Sequence, residues 1–65
     1  MLPGTVSEFD ADKGLGVIVA ADGTQFAFHC IEIADGTRTI DAGVPVVFQP
    51  LPKFGRFQAG AIRKV

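Results

Sequence analysis

Residues 13–18 read Lys-Gly-Leu-Gly-Val-Ile and residues 26–30 read Phe-Ala-Phe-His-Cys, with Asp22-Gly23 between them. Short apolar segments of this kind, bounded by turn residues, are typical of β-strands, in which successive side chains point to opposite faces. Asp22-Gly23 predicts a two-residue type I′ hairpin turn, because that turn needs positive φ at both central positions. The two stretches therefore predict an antiparallel strand pair that presents one shared outer face.

Turn signals divide the rest of the chain into similarly short segments. Strands are predicted at residues 4–9, 15–20, 24–30, 44–49 and 56–63. One helical turn is expected at 31–34, and residues 50–55 are expected to form a loop. Five short strands in a flat sheet would expose two long edges, whereas closure into a barrel removes them. The predicted fold class is therefore all-β, a five-stranded antiparallel barrel.

Alternation along these strands predicts which side chains enter the barrel. The expected interior residues are Ile18, Phe26, Phe28, Val46, Phe48 and Ile62. The expected exterior residues are Leu15, Val17, Val19, Ala27 and His29. Gly16 would point inward, where a missing side chain lets a small barrel bend. Strict alternation would put Val6 and Glu8 on one face with Phe9 opposite, so a bulge is predicted near Glu8.

Length, charge and cysteine content limit the functions that the chain can have. Its 65 residues are expected to form one domain, residues 1–65, around one small core. No apolar run approaches the ~20 residues that span a bilayer, and no secretory signal is visible. A single cysteine fits a cytoplasmic protein. The net charge of −1 and pI of 5.6 mean that any nucleic-acid binding must rely on base stacking and a few local cations.

Short motifs follow one another in a fixed order along nearly the whole chain. They are Gly4-Thr5-Val6, Phe9-Asp10, Lys13-Gly14-x-Gly16-x-Ile18, Phe28-His29 with Ile33, Gly43-x-x-Val46-x-Phe48, and Gln58-Ala59. In this order they resemble the cold-shock domain family. The resemblance implies an OB-fold barrel, in agreement with the strand pattern. It also implies binding of single-stranded RNA or DNA on the outer face of strands two and three, in an RNA chaperone or a regulator of transcription or translation.

The chain departs from that family where the resemblance locates the binding surface. The family usually has aromatic residues at the positions held here by Glu8, Leu15, Val17, Ala27 and Cys30, and Lys in place of Ser7. Phe9, Lys13 and His29 match the usual surface. Stacking on an aromatic ring is worth roughly 1–3 kcal/mol per base, so the loss of several rings predicts weak binding. Glu8 would add repulsion toward phosphate.

Residues 53–57, Lys-Phe-Gly-Arg-Phe, form a basic and aromatic stretch that can compensate in part. The resemblance aligns Phe57 with a proline near the family's binding face, and Arg38 with a basic position. One interpretation is a relocated site that combines His29, Phe57, Arg56 and Lys13. The other is that Phe54 caps the barrel end and Arg56 is solvated. The predicted nucleic-acid-binding residues are Phe9, Lys13, Leu15, Val17, His29, Arg38, Arg56 and Phe57.

A second hypothesis uses the same face for a different partner. Leu15, Val17 and Ala27 would form an exposed apolar patch, which is typical of surfaces that contact proteins. The chain would then be a protein-binding or homodimerising module without significant nucleic-acid binding.

The sequence contains no pattern that indicates catalysis, metal binding or a cofactor. His29 and Cys30, as neighbours on a strand, are expected to point to opposite faces, and zinc needs about four ligands. No base is arranged to activate Cys30, and Asp10 and Asp12 are explained as turn-forming residues. We expect no enzyme activity, small-molecule substrate, cofactor or metal.

Overall fold

A computed structural model describes residues 1–34, 36, 39–53 and 56–65, without the side chains of Lys53 and Arg56. The strands are β1 (Leu2–Asp10), β2 (Leu15–Ala20), β3 (Gln25–His29), β4 (Pro45–Lys53) and β5 (Arg56–Lys64). They close into a barrel in the order β1-β2-β3-β5-β4. The predicted five-stranded all-β barrel is confirmed. A 3₁₀ turn, Cys30–Glu32, follows β3 and begins one residue before the predicted helical turn.

Neighbouring strands are antiparallel except at one seam. β1 pairs with β2 and β4, β2 pairs with β3, and β4 pairs with β5, all antiparallel. The seam between β3 and β5 is parallel and joins Ala27 to Gln58. Through this pair, the first residues of β5 lie next to β3. In the part of the chain that the structure describes, no helix has the length and apolar character of a membrane crossing.

The interior contains the residues that alternation predicted. All six expected interior side chains are buried, together with Val6, Ile33, Ile40 and Ala59. The rings of Phe26 and Phe48 pack at a tilt with centroids 4.9 Å apart. Aromatic pairs of this geometry stabilise a core beyond the area they bury. Among the described residues, ten form the core, and most of them stand at alternate positions of the strands.

A bulge in β1 determines which side chains of that strand face outward. Val6 pairs with Ile18 and Glu8 pairs with Val17, so Ser7 is the extra residue. Bulges re-aim the side chains that follow them. Glu8 is therefore exposed beside Val17, while Phe9 turns inward and stacks on Phe28 with ring centroids 5.9 Å apart. The predicted bulge near Glu8 is confirmed.

The β2–β3 hairpin differs from its prediction. Ala20 pairs with Thr24 through a 2.8 Å hydrogen bond, which leaves three residues, Ala21–Gly23, in the loop. Gly23 has φ +91°, but Asp22 is not among the residues with positive φ. The two-residue type I′ turn was therefore wrong, because a type I turn followed by a left-handed glycine closes the hairpin. The Asp22 carboxylate accepts the Thr24 N–H at 2.9 Å, and this bond lowers the pKa of Asp22.

The observed strand bounds also differ from the predicted ones, most of all in β4. Residues 50–53 were predicted as loop, yet β4 continues to Lys53, with Pro50 paired to Ala59 and Pro52 paired to Phe57. β1 pairs with β4 only as far as Phe48, so beyond that residue one edge of β4 needs no ladder bonds among the described residues. Proline is tolerated at such an edge. The first strand likewise begins at Leu2 and the third is shorter than predicted.

Candidate functional site

The outer face of β2 and β3 forms an uncovered apolar surface in the described part of the chain. Leu15 lies opposite His29, and Val17 lies opposite Ala27. Leu15 is 48% exposed, Ala27 and His29 are exposed, and Val17 is half-buried. The predicted placement of these four side chains on the exterior is confirmed. Because they alternate with buried neighbours, the same pattern that fills the core produces this surface.

A depression on this face runs from β2 across to β5. We call it the central groove; it encloses about 710 Å³ and is lined by Val17, Thr24, Gln25, Phe26, Ala27, Pro50 and Phe57. Phe57, at its border, is 63% exposed. The β3–β5 seam accounts for this arrangement, since Gln58 pairs with Ala27 and Phe57 precedes it. An exposed ring beside a shallow apolar groove can stack a planar group.

A second depression, the carboxylate groove, lies on the β1 side of the same face. It encloses about 430 Å³ and is lined by Glu8, Phe9, Asp10, Lys13, Leu15, Gly16, Val17 and Ala27. A third depression of about 320 Å³ includes Leu15, Ala27, His29, Ile31 and Gln58. Ala27 borders all three, so the depressions adjoin one another at its small side chain.

The turn between β1 and β2 holds Lys13 beside the carboxylate groove. Oδ1 of Asp10 accepts the backbone N–H groups of Asp12 at 3.0 Å and Lys13 at 3.3 Å. The N–H of Gly14 donates to the Asp10 carbonyl at 2.8 Å. One oxygen of the Asp10 carboxylate is thus engaged in the turn, as turn-forming aspartates commonly are. Lys13 is exposed, with its backbone fixed and its ammonium available to a phosphate.

His29 ends β3 and fixes the start of the 3₁₀ turn. Its Nδ1 accepts the N–H of Ile31 at 3.3 Å. A nitrogen that accepts a backbone N–H carries no proton, so the neutral ring bears its hydrogen on Nε2. Sγ of Cys30 lies 3.7 Å from the same Nδ1. The prediction that His29 and Cys30 point to opposite faces was therefore wrong, because the strand ends at His29 and alternation stops there.

The predicted site residues fall into three groups. Phe57, His29 and Lys13 border different depressions that meet around Ala27, together with Leu15 and Val17. Phe9 is half-buried and exposes only part of its ring to the carboxylate groove. Arg38 and the side chain of Arg56 lie outside the described residues, as does Phe54, which was predicted to cap the barrel end. The relocated cluster of His29, Phe57, Arg56 and Lys13 thus stays a prediction.

The sequence did not reveal several residues that border this surface. Ile31 is 63% exposed beside His29, and Pro50 and Gln58 border the grooves from β4 and β5. Ile31 lies just beyond the end of β3, where strand alternation no longer predicts which way a side chain points. The described residues contain no group of three or more His, Cys, Asp or Glu side chains that would hold a metal ion.

Comparisons with known proteins identify relatives of this barrel. Over 49 residues the chain is 45% identical to Cold shock protein 2 of Lactiplantibacillus plantarum, covering 74% of both chains. It is 43% identical to Cold shock protein 1 of the same organism over an equal span. Among solved structures, drosophila Unr CSD456 matches with a TM-score of 0.82 and 26% identity. That match covers 98% of this chain but only 26% of the longer one. No protein-family model matches the chain.

Proposed function

Because the chain belongs to the cold-shock protein family, we propose that it binds single-stranded RNA or DNA on the outer face of β2 and β3. The observation that carries this proposal is the apolar surface around Ala27, bordered by the exposed Phe57, His29 and Lys13. An unpaired base exposes both π faces and can stack on an aromatic side chain. Lys13 would neutralise an adjacent phosphate.

The binding is expected to be weak. Leu15, Val17 and Ala27 offer apolar contact but no rings, and Glu8 places a carboxylate beside them. Among the described side chains, Phe57 is the exposed aromatic residue on this face. With one to two stacked bases at roughly 1–3 kcal/mol each and one phosphate contact, dissociation constants should lie at about tens to hundreds of micromolar. Weak, sequence-tolerant contact fits an RNA chaperone or a regulator of transcription or translation in the cytoplasm, with no catalytic step and no cofactor.

The direct test is titration of labelled six-nucleotide oligo-dT and oligo-U at low salt, followed by fluorescence anisotropy. Amide chemical-shift mapping of the labelled protein then locates the contact. We expect shifts concentrated in β2, β3 and the first residues of β5. An absence of binding at hundreds of micromolar protein, or shifts confined to the opposite wall of the barrel, would contradict the proposal.

A protein partner is the second candidate, and the aliphatic character of the face favours it. Leu15, Val17 and Ala27 are adjacent in two paired strands, and Glu8 lies alongside. Such a surface suits the side chains of another protein or of a second copy of this chain. Size-exclusion chromatography across a concentration series tests self-association directly. A monomer at millimolar concentration would exclude a homodimer of functional strength.

A further inference from the structure

We propose that Glu8 gives this surface a preference for an unpaired base that carries an exocyclic amino group, above all cytosine, over uracil or thymine. This inference rests on the proposed function, since it concerns which base the surface accepts. It assigns to Glu8 a role in selecting the base, beyond the repulsion of phosphate that its charge causes.

The β1 bulge is the structural origin of this role. Without the bulge, strict alternation would place Glu8 on the inward face that Val6 occupies. With it, Glu8 pairs with Val17 and projects onto the outer face. Neighbouring strands lie about 4.8 Å apart, so a base that covers Val17 reaches the β1 strand beside it. The carboxylate of Glu8 therefore borders any planar group that occupies the carboxylate groove.

The carboxylate groove has an apolar floor and charged side chains at its borders. Leu15, Val17 and Ala27 form an apolar floor, and Lys13 lies at the turn end. Of the two carboxylates that line it, Asp10 already accepts two backbone N–H groups. Within the described part of the chain, no residue donates a hydrogen bond to the side chain of Glu8. Glu8 is thus the carboxylate on this wall that offers both of its oxygens to a ligand, whereas one oxygen of Asp10 is held by the turn.

An ionised carboxylate accepts hydrogen bonds and cannot donate them. Cytosine presents an amino donor at its 4-position, whereas uracil and thymine present a carbonyl acceptor there. The amino group of cytosine complements the Glu8 carboxylate. The carbonyl of uracil or thymine would instead place two hydrogen-bond acceptors against each other. Because cytosine and uracil have nearly the same size and shape, stacking on the apolar floor is similar for both. The difference in their affinities therefore reports the contact with Glu8.

The test measures the affinities of deoxycytidine and deoxyuridine hexamers by fluorescence anisotropy, at neutral pH and constant salt. The ratio of the two affinities is compared between wild-type protein and Glu8→Gln. Wild type should bind the cytosine hexamer about threefold more tightly or better, the factor expected of one modest net hydrogen bond. Glu8→Gln should reduce this ratio to nearly one, because an amide can face either base as donor or acceptor. Glu8 is exposed, so the variant should fold normally.

Asp41→Asn is the matched control. It removes one exposed carboxylate before β4, outside the carboxylate groove, and changes the net charge equally. It should alter both affinities by the same factor and keep the ratio. Equal binding of the two hexamers by wild type, or a ratio unchanged in Glu8→Gln, would overturn the inference while leaving the proposed function intact. If neither hexamer binds, both fail together.

Discussion

Gly16 lies in the inward-facing row of β2, between Phe9 of β1 and Phe28 of β3. Because it has no side chain, the two rings meet above it in a stacked arrangement. A Cβ at this position would lie 2.5 Å from the Phe28 ring and 2.7 Å from the carbonyl oxygen of Glu8. The ring and the backbone would both have to move to accept it. Gly16 thus permits the bend of β2 and the packing of Phe9 at the same time.

Gly16→Ala should therefore destabilise the barrel by roughly 1–3 kcal/mol, the usual cost of overpacking a core. In a domain of this size each kcal/mol lowers the melting temperature by about 4–8 °C. Urea and thermal denaturation, followed by circular dichroism, measure the loss. Gly23→Ala serves as the comparison, because it has open space around it and only its positive φ opposes a side chain. A smaller loss for Gly16→Ala than for Gly23→Ala would refute the steric account.

At the level of elements, strand alternation alone was sufficient to predict much of the barrel. The sequence predicted which side chains of β2, β3 and β4 point inward, because Phe26, Phe28 and Phe48 fix the buried face. The outer positions of Leu15, Val17, Ala27 and His29 came with them. Alternation is a local rule, however, so it cannot give the β3–β5 seam that brings Phe57 next to Ala27. That contact depends on how the barrel closes.

Alternation also fails where a strand ends or gains a residue. The side chains of His29 and Cys30 approach each other because β3 stops between them. The hairpin loop has three residues because hydrogen bonding selected a type I turn, which Asp-Gly also permits. The bulge at Ser7 was anticipated from the conflict between Val6 and Phe9, yet its consequence for Glu8 needed the pairing register.

The β2–β3 face makes an element-scale prediction about affinity. A triple variant, Leu15→Phe with Val17→Phe and Ala27→Phe, would place three rings on adjacent outward positions of two paired strands. We expect the affinity for oligo-dT to rise at least about tenfold, since each stacked base contributes roughly 1–3 kcal/mol. Anisotropy titration measures the change.

The control for this variant adds bulk without rings, as Val17→Leu with Ala27→Leu. It should gain little, because leucine offers no π face to a base. An unchanged oligo-dT affinity in a folded triple variant would mean that these positions do not act together as a binding surface. An equal gain in the leucine control would instead attribute the effect to apolar area.

At the scale of the whole molecule, charge works against polyanion binding. Six Lys and Arg residues are outnumbered by seven Asp and Glu residues. On the outer face, Glu8 and Asp10 line the same groove as Lys13. Among the described side chains that line the three depressions, Lys13 is the only cation. The proposed binding must therefore come mainly from stacking and apolar contact, with little contribution from released counterions.

This balance predicts a shallow dependence of affinity on salt. Each phosphate neutralised on a single strand contributes about −0.7 to the slope of log affinity against log salt. One or two such contacts predict that affinity falls only about three- to sevenfold between roughly 50 and 200 mM KCl. Lys13→Gln should flatten the slope by about 0.7, whereas Arg63→Gln, at an exposed position of β5 outside the three depressions, should leave it unchanged. Anisotropy titrations of one hexamer across a salt series give all three slopes. A wild-type slope steeper than about −3 would show that phosphate contacts dominate after all, and the argument from stacking would fail.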